Sequence, residues 1–389
     1  MFIAITMNHI QAIKAWGEVH GAQANLNVLT FELEIKAHNR YFTLFPQFLA
    51  LLDGRLMHVP QLSPAVTGFI GWLPYRPMRW SLTTDKLFFK QRLTQAGLAT
   101  PATWATPEQA TGDFVVKHSV GSFGNELAGP YQPGQRPDEI LMQTLNKPGS
   151  PGSIYMESFV RGRNLKVWFW GDRAFHAQLH SYPVITGNGQ STVKDLADTR
   201  LQHINQNWAS YAEKSAVIQA LAYQGLNLDM VLPPGHQAWL DYRYGRRFAA
   251  DAMKEDEDNA LPTLPMVQRA QIEHAGRWLA AELHQEINAP VLYSLDGVLD
   301  DNGKIWWLEV NSNPIFPPTG YGLMLSTLFG TPVTARATVA AIPSSPIQAP
   351  HNITEETVAD IAIAHGTPPT LHQTGMHGLA PAIVDEVLV

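Results

Sequence analysis

The pattern of apolar and polar positions predicts a chain that mixes helices and strands. Residues 265–287 carry apolar side chains at helical spacing and predict a long helix. Near the start, residues 2–6 predict a short strand and residues 10–19 a helix. Apolar runs at 28–35 and 41–52 complete what we interpret as a small α/β domain, which lacks the glycine fingerprint of a dinucleotide-binding fold.

The pattern changes at Ser81, where a second set of elements begins. The string TTDKLFFKQRLTQAG predicts a helix with Thr83 or Thr84 as its N-cap, ending near Gln95. The apolar run FVVK predicts a strand that ends in Lys117. The strings SIYMESFV and NLKVWFWGDRAFHAQL predict further strands.

Composition favours a globular protein whose partners are small molecules. The 389 residues give room for two or three domains. A net charge of −7 argues against nucleic acid or an anionic membrane as partner, since either favours a basic surface. The absence of cysteine excludes disulfides and thiol nucleophiles and is compatible with the cytoplasm, which we predict as the location.

The strongest chemical signal is the string VLYSLDGVLDDNGKIWWLEVNSNP, residues 291–314. Two strand-like runs flank Asn302-Gly303, a dipeptide typical of a two-residue hairpin turn. Pairing the strands outward from that turn places Asp296 opposite Glu309.

The same register extends the cluster by one amide. It pairs Leu299 with Trp306 nearer the turn, and Ser294 with Asn311 farther from it. Because side chains alternate between the faces of a strand, Asn311 shares a face with Glu309. The hairpin is therefore predicted to gather three oxygen-bearing side chains on one face.

A cation would explain this cluster. Two carboxylates directly opposite each other destabilise a sheet unless a cation lies between them. Hard oxygen donors select Mg²⁺ or Mn²⁺, so we predict Asp296, Glu309 and Asn311 as metal ligands. On this stretch alone, an ordinary surface hairpin with solvated acidic residues remains the alternative.

Two lysines occupy places where phosphates could be held. Lys86 lies just inside the predicted helix, and Lys117 ends a strand that leads into a loop containing Gly121, Ser122 and Gly124. Backbone N–H groups of such a loop could fold over phosphates. Taken alone, this pattern is more typical of a surface loop with a solvated lysine.

Together these motifs resemble the ATP-grasp superfamily, which includes D-alanine:D-alanine ligase, glutathione synthetase, cyanophycin synthetase and the ribosomal-protein glutamate ligases. The resemblance covers roughly residues 84–320 and depends on the order of the motifs: a TDK helix start, a strand ending in lysine, a glycine loop, an ESFVRG hinge and a hairpin ending in LEVNSNP. It implies an α/β (α+β) ATP-grasp fold, in which an N-terminal α/β domain precedes two α+β subdomains that clasp ATP. The implied parts are an N-terminal domain at 1–83, an ATP-grasp domain at 84–330 with a central lid at about 105–160 and a C-terminal subdomain at about 161–330, and an extension at 331–389.

The resemblance also implies a set of ATP contacts. The two lysines and the glycine loop would bind phosphates, the hinge would hold adenine, and an asparagine lies where relatives often place an acidic residue on the ribose. In chain order these contacts are Lys86, Lys117, Gly121, Ser122, Gly124, Glu157, Phe159, Val160 and Asn164. The three predicted metal ligands match those of the family.

One departure from the family concerns the cation that stabilises an acyl phosphate. Many relatives carry an arginine just before the metal-binding aspartate, whereas Ser294 and Leu295 stand there in this chain. The candidates for a replacement are Arg243, Arg246 and Arg247, in the string DYRYGRRF, with a basic surface turn as the alternative.

The implied function is an ATP-dependent ligase that joins a carboxylate to an amine through an acyl phosphate and releases ADP and phosphate. ATP and Mg²⁺ or Mn²⁺ would be its cofactors. The string ITGNGQSTVKDL resembles a turn of cyanophycin synthetase, which points to amino-acid or peptide substrates. A phosphotransferase and a nucleotide-binding regulatory protein without turnover are the alternatives, and a homodimer is the commonest assembly for a soluble protein.

Overall fold

The computed structural model describes residues 2–52, 55–120, 127–139, 142, 152–243 and 259–333, all within the compact unit Met1–Ala340. The predicted mixture of helices and sheets is confirmed. The strands of the described residues pair antiparallel, which makes the architecture α+β. Within these ranges, no helix combines the length and apolar character that crossing a membrane requires.

The helices of the described residues are distributed along the sequence from residue 2 to residue 329. They are α1 (Phe2–His20), α2 (Ser81–Thr84), α3 (Lys86–Gln95), α4 (Val193–Gln202), α5 (Lys214–Tyr223), α6 (Met266–Leu283) and α7 (Gly320–Phe329). The long helix predicted at 265–287 is confirmed as α6.

In the described part of the chain, the strands form three larger sheets and one pair. The first sheet contains β1 (Gln23–Leu26), β2 (Leu33–Ala37), β3 (Arg40–Leu52), β4 (Arg55–Val59) and β5 (Val66–Leu73). The second has the order β6 (Thr103–Trp104), β9 (Ile154–Ser158), β7 (Phe114–His118) and β8 (Leu127–Tyr131). The third has the order β11 (Arg173–His180), β10 (Arg163–Trp170), β14 (Leu292–Leu299) and β15 (Ile305–Asn311), and β12 (Val184–Thr186) pairs with β13 (Gln237–Trp239).

The short strand predicted at residues 2–6 is wrong, because these residues belong to α1. Between residues 6 and 20, the buried positions of α1 recur at helical spacing: Thr6, His9, Ala12, Ile13 and Trp16. Packing of that face decides the conformation. Trp16 also donates from Nε1 to Ser326 Oγ at 3.1 Å, which ties α1 to α7.

The first sheet does not have a core of its own. Its apolar residues pack in one cluster with α1, with α7 and with Trp168 and Trp170 of β10. The N-terminal segment is therefore built onto the sheet that carries the predicted metal ligands. The domain boundaries drawn from the sequence stay predictions, and residues 334–389 of the predicted extension lie outside the described residues.

Helix α3 begins one or two residues later than the sequence indicates. Its N-cap is Asp85, not Thr83 or Thr84, and the Asp85 carboxylate accepts from the backbone N–H groups of Leu87 and Phe88. The same carboxylate accepts from Ser119 Oγ at 3.1 Å, just after β7. This cap fixes the start of α3 against the end of the lysine-bearing strand.

The predicted register of the hairpin is confirmed where it matters for the metal site. Asp296 pairs with Glu309, and Ser294 pairs with Asn311. Closer to the tip the prediction is wrong by one residue, since Leu299 pairs with Ile305 and not with Trp306.

Two local features cancel to give this result. The tip is a three-residue loop, in which the N–H of Gly303 donates to the Asp300 carbonyl and Gly303 has a φ of 78°. The N–H of Asp300 donates to the Lys304 carbonyl and closes the loop. One extra residue, Leu308, then forms a bulge in β15 and restores the predicted pairing beyond it.

Candidate nucleotide and metal site

The carboxylates of Asp296 and Glu309 form the centre of the candidate site. They lie opposite each other on β14 and β15, and Asn311 Nδ2 donates to Asp296 Oδ2 at 3.2 Å. Among the described residues no cluster of three or more His, Asp or Glu side chains could hold a metal ion. The available donors are therefore two carboxylates and one amide, a hard-oxygen set that suits Mg²⁺ when phosphates and water complete its shell.

Each of these carboxylates has a lysine beside it. Lys166 Nζ lies 2.7 Å from Asp296 Oδ1, and Lys86 Nζ lies 3.7 Å from Glu309 Oε2. The structure thus brings the predicted phosphate lysine Lys86 next to a predicted metal ligand. Burial raises the pKa of Asp296, the Lys166 ammonium opposes that rise, and the Glu309 carboxylate adds to it.

Sequence reasoning missed Lys166. Its strand alternates, so that Leu165, Val167 and Phe169 are buried in the core while Lys166 lies on the opposite face with Asn164. That alternation was visible in the sequence. The pairing of β10 with β14 places Lys166 opposite Asp296 and joins segments about 130 residues apart. That pairing could not be predicted from the sequence.

Glu157 lies at the centre of a buried ion triad. Its carboxylate contacts Lys117 Nζ at 2.7 Å through Oε1 and Lys90 Nζ at 2.7 Å through Oε2. The Tyr155 hydroxyl donates to Oε2 at 3.4 Å. Burial alone would raise the pKa of Glu157, but the two ammonium groups outweigh it and lower the pKa to about 2.

The triad orients one of the predicted phosphate lysines. Glu157 was predicted to hold adenine, and the structure gives its carboxylate a different set of partners: Lys117 and Lys90. Lys90 was missed by the sequence, although it follows Lys86 by four residues and so shares its face of α3. Burial lowers the pKa of Lys90, and the Glu157 carboxylate opposes that change.

The hinge residues are held by aromatic packing and backbone hydrogen bonds. The Phe159 ring packs edge-on against Tyr223 and Tyr242, and its N–H donates to the Asp113 carbonyl at 2.7 Å. Asn164, predicted to contact ribose, donates from Nδ2 to the Tyr242 carbonyl at 3.0 Å. Both residues therefore anchor the segment around Tyr242.

A cavity of about 700 Å³ lies beside the hinge. Its walls include Lys90, Val160, Arg161, Asp300 and Trp306, and they include neither carboxylate of the candidate metal site. Val160, predicted near adenine, is thus on a cavity wall, but this cavity is separate from the carboxylate pair.

Arg243 is committed to two carboxylates. Its guanidinium contacts Asp241 at 2.7 Å and Glu213 at 2.8 Å. Burial works against the charged form, but these two partners raise the pKa of Arg243 above its ordinary value. The assignment of Arg243 to an acyl phosphate stays a prediction, as do those of the residues that lie outside the described ranges, namely Arg246, Arg247, Gly121, Ser122 and Gly124.

The string ITGNGQSTVKDL forms a turn and a helix start. Asn188 Oδ1 accepts from the N–H groups of Gln190 and Ser191, and Thr192 caps α4 together with Asp195. These contacts account for the string as local structure.

Comparisons with known proteins find similarity only at the level of solved structures. No protein-family model matches the sequence, and no curated protein matches it. A bifunctional glutathione synthetase from Pasteurella multocida is 16% identical, with a TM-score of 0.35 over 82% of this chain and 43% of its own. The D-alanine–D-alanine ligase from Bacillus anthracis is 11% identical, with a TM-score of 0.34 over 64% of this chain and 66% of its own.

A biotin carboxylase from Campylobacter jejuni is also similar, at 13% identity and a TM-score of 0.37 over 68% of this chain and 48% of its own. The chain thus spans less than half the length of the glutathione synthetase and of the biotin carboxylase. Identities and TM-scores this low carry no argument about function.

Proposed function

We propose that this chain is an ATP-dependent ligase of the ATP-grasp type that joins a carboxylate to an amine through an acyl phosphate. The observation that carries the proposal is the pairing of Asp296 with Glu309 across one hairpin, with Lys86 and Lys166 at their carboxylates. Two carboxylates and two ammonium groups gathered at one place, three on strands and Lys86 on α3, suit a polyanion bound together with a divalent cation.

The lysines of the site would bind and orient the phosphates. Glu157 contacts both Lys117 and Lys90, so the Lys117 ammonium is already held in position before a phosphate binds. Asp296, Glu309 and Asn311 would hold Mg²⁺, which when bound supplies positive charge against the phosphate oxygens.

The chemistry requires no side-chain nucleophile. A substrate carboxylate oxygen attacks the γ-phosphorus of ATP, the bond to the bridging oxygen of ADP breaks, and an acyl phosphate results. The amine nitrogen then attacks the acyl carbon and phosphate leaves. The attacking nitrogen loses a proton to solvent and becomes the nitrogen of the new amide. Positioning and charge neutralisation supply the rate enhancement, which agrees with the absence of cysteine.

The test is the release of ADP and phosphate by the full chain with Mg²⁺ and ATP, against pools of amino acids and small peptides, singly and in pairs. Release that requires an acid together with an amine, and that Glu309→Ala abolishes, supports the ligase. Transfer of phosphate to a hydroxyl without free phosphate supports the phosphotransferase. Binding of ATP without turnover under any pairing contradicts both enzymes.

A further inference from the structure

The carboxylate pair is already neutralised by the chain itself. The ammonium of Lys166 lies 2.7 Å from Asp296, and that of Lys86 lies 3.7 Å from Glu309. All four side chains are largely buried, with exposures of 14% and 13% for the first pair and 18% and 30% for the second. Two negative charges thus face two positive charges at a partly buried place.

This arrangement opposes the binding of a free divalent cation to Asp296 and Glu309. A carboxylate pair without counter-ions attracts a cation strongly, because its two charges repel each other. Here a cation would have to displace ammonium groups from Asp296 and Glu309, or share the oxygens with them at a Coulombic cost that is large in a partly buried site. The same ammonium groups are suited to phosphate oxygens.

We propose that Lys166 and Lys86 keep the Asp296–Glu309 pair closed to free divalent cations, and that a nucleoside triphosphate opens it by accepting both ammonium groups on its phosphates. This inference rests on the proposed function and adds the order of events at that site. Metal and nucleotide then bind with strong positive coupling, because each removes the charge that opposes the other.

Lys166 contributes more than Lys86 to keeping free divalent cations from the carboxylate pair. Its contact is shorter by 1.0 Å (3.7 minus 2.7), and it lies directly opposite Asp296 on the neighbouring strand. The Trp168 ring centroid lies 5.7 Å from Lys166 Nζ, so an aromatic ring, not solvent, borders the ammonium on this side. A charge so placed acts on the carboxylate pair with little screening.

The experiment measures Mn²⁺ binding to the full chain by electron paramagnetic resonance, with Mn²⁺ alone and with a non-hydrolysable ATP analogue. The variant Lys166→Met removes the charge and keeps the length of the side chain. Its affinity for free Mn²⁺ is expected to rise by about tenfold or more over the wild type. With the analogue bound, that gain is expected to disappear or reverse.

The matched control is Lys304→Met. Lys304 lies at the tip of the same hairpin, over the Trp306 ring at 3.8 Å, and its loss changes the net charge by the same amount. Free Mn²⁺ binding unchanged in Lys166→Met, or raised equally in Lys304→Met, overturns the proposal. Lys166→Arg keeps the charge and is expected to keep the low affinity for free Mn²⁺.

Two further outcomes are decisive. Should Lys166→Met fail to fold, Lys86→Met at the more open edge is expected to give a smaller gain in free Mn²⁺ affinity, and no gain there overturns the proposal. An analogue that binds without raising Mn²⁺ affinity in the wild type overturns it as well. An analogue that does not bind at all contradicts the proposed function instead, while the free-Mn²⁺ comparison still decides whether the lysines close the pair.

Discussion

Lys90 Nζ lies 2.7 Å from Glu157 Oε2, and the two side chains are only 4% and 2% exposed. Glu157 also accepts from Lys117, so removing its charge leaves two ammonium groups facing each other away from water. We expect Glu157→Gln to lower the free energy of unfolding by about 3–5 kcal/mol, measured by urea denaturation. As control, Glu273→Gln breaks an exposed pair with Arg277 and is expected to change stability by less than about 1 kcal/mol. Equal effects of the two variants would contradict the triad.

The same triad predicts a dependence of stability on acid. The pKa of Glu157 is lowered from 4.5 to about 2 in the folded chain, so its contribution is fully present above about pH 4.5 and is lost as the pH falls toward 2. The difference in unfolding free energy between the wild type and Glu157→Gln is therefore expected to shrink over that range. Urea denaturation at a series of pH values measures it. A difference that stays constant down to pH 2 would show that Glu157 does not carry this charge.

Lys117 is predicted to act on phosphates. Lys117→Met is expected to weaken ATP binding by about tenfold or more, because one charge-assisted contact is lost, and calorimetric titration with ATP measures this. Lys14→Met is the control, since Lys14 is exposed on α1 and pairs only with its helix neighbour Glu18 among the ion pairs of the described residues. ATP affinity that survives Lys117→Met would remove Lys117 from the site.

Gly162 joins the hinge to β10, the strand that carries Lys166 and pairs with β14. A Cβ atom at this position would lie 2.3 Å from the Leu299 carbonyl oxygen, so only glycine permits the close approach. Gly162→Ala is expected to lower the unfolding free energy by about 1–3 kcal/mol, since the backbone has to move. Gly112→Ala is the matched control, because a Cβ there meets no atom within 4 Å. Equal stability of the two variants in urea would contradict this contact.

The local parts of the site could be predicted from the sequence. Asp296, Glu309 and Asn311 lie within one hairpin, where alternation and turn chemistry decide the register. The predicted turn was one residue too short, and the bulge at Leu308 compensated for it. The predicted pairing of Asp296 with Glu309 was thus correct only because the longer turn and the bulge compensate for each other. The Asn-Gly dipeptide alone did not predict either feature.

The non-local parts could not be predicted. Lys166 meets Asp296 only because β10 pairs with β14. Lys90 meets Glu157 only because the fold brings residues far apart in the sequence within 2.7 Å of each other. No short-range pattern encodes such pairings. The strand predicted at residues 2–6 failed for the same reason, since the burial of His9 and Trp16 against later parts of the chain favours a helix there.

The most direct test of the account is the effect of Mg²⁺ on ATP binding, by calorimetric titration of the wild type, Glu309→Gln and the surface variant Glu273→Gln. The account predicts that Mg²⁺ tightens ATP binding by about tenfold or more in the wild type and in Glu273→Gln, and that Glu309→Gln loses this gain. A wild type that does not bind ATP, or a Glu309→Gln variant that keeps the full Mg²⁺ effect, would contradict the placement of a metal–nucleotide site on this hairpin.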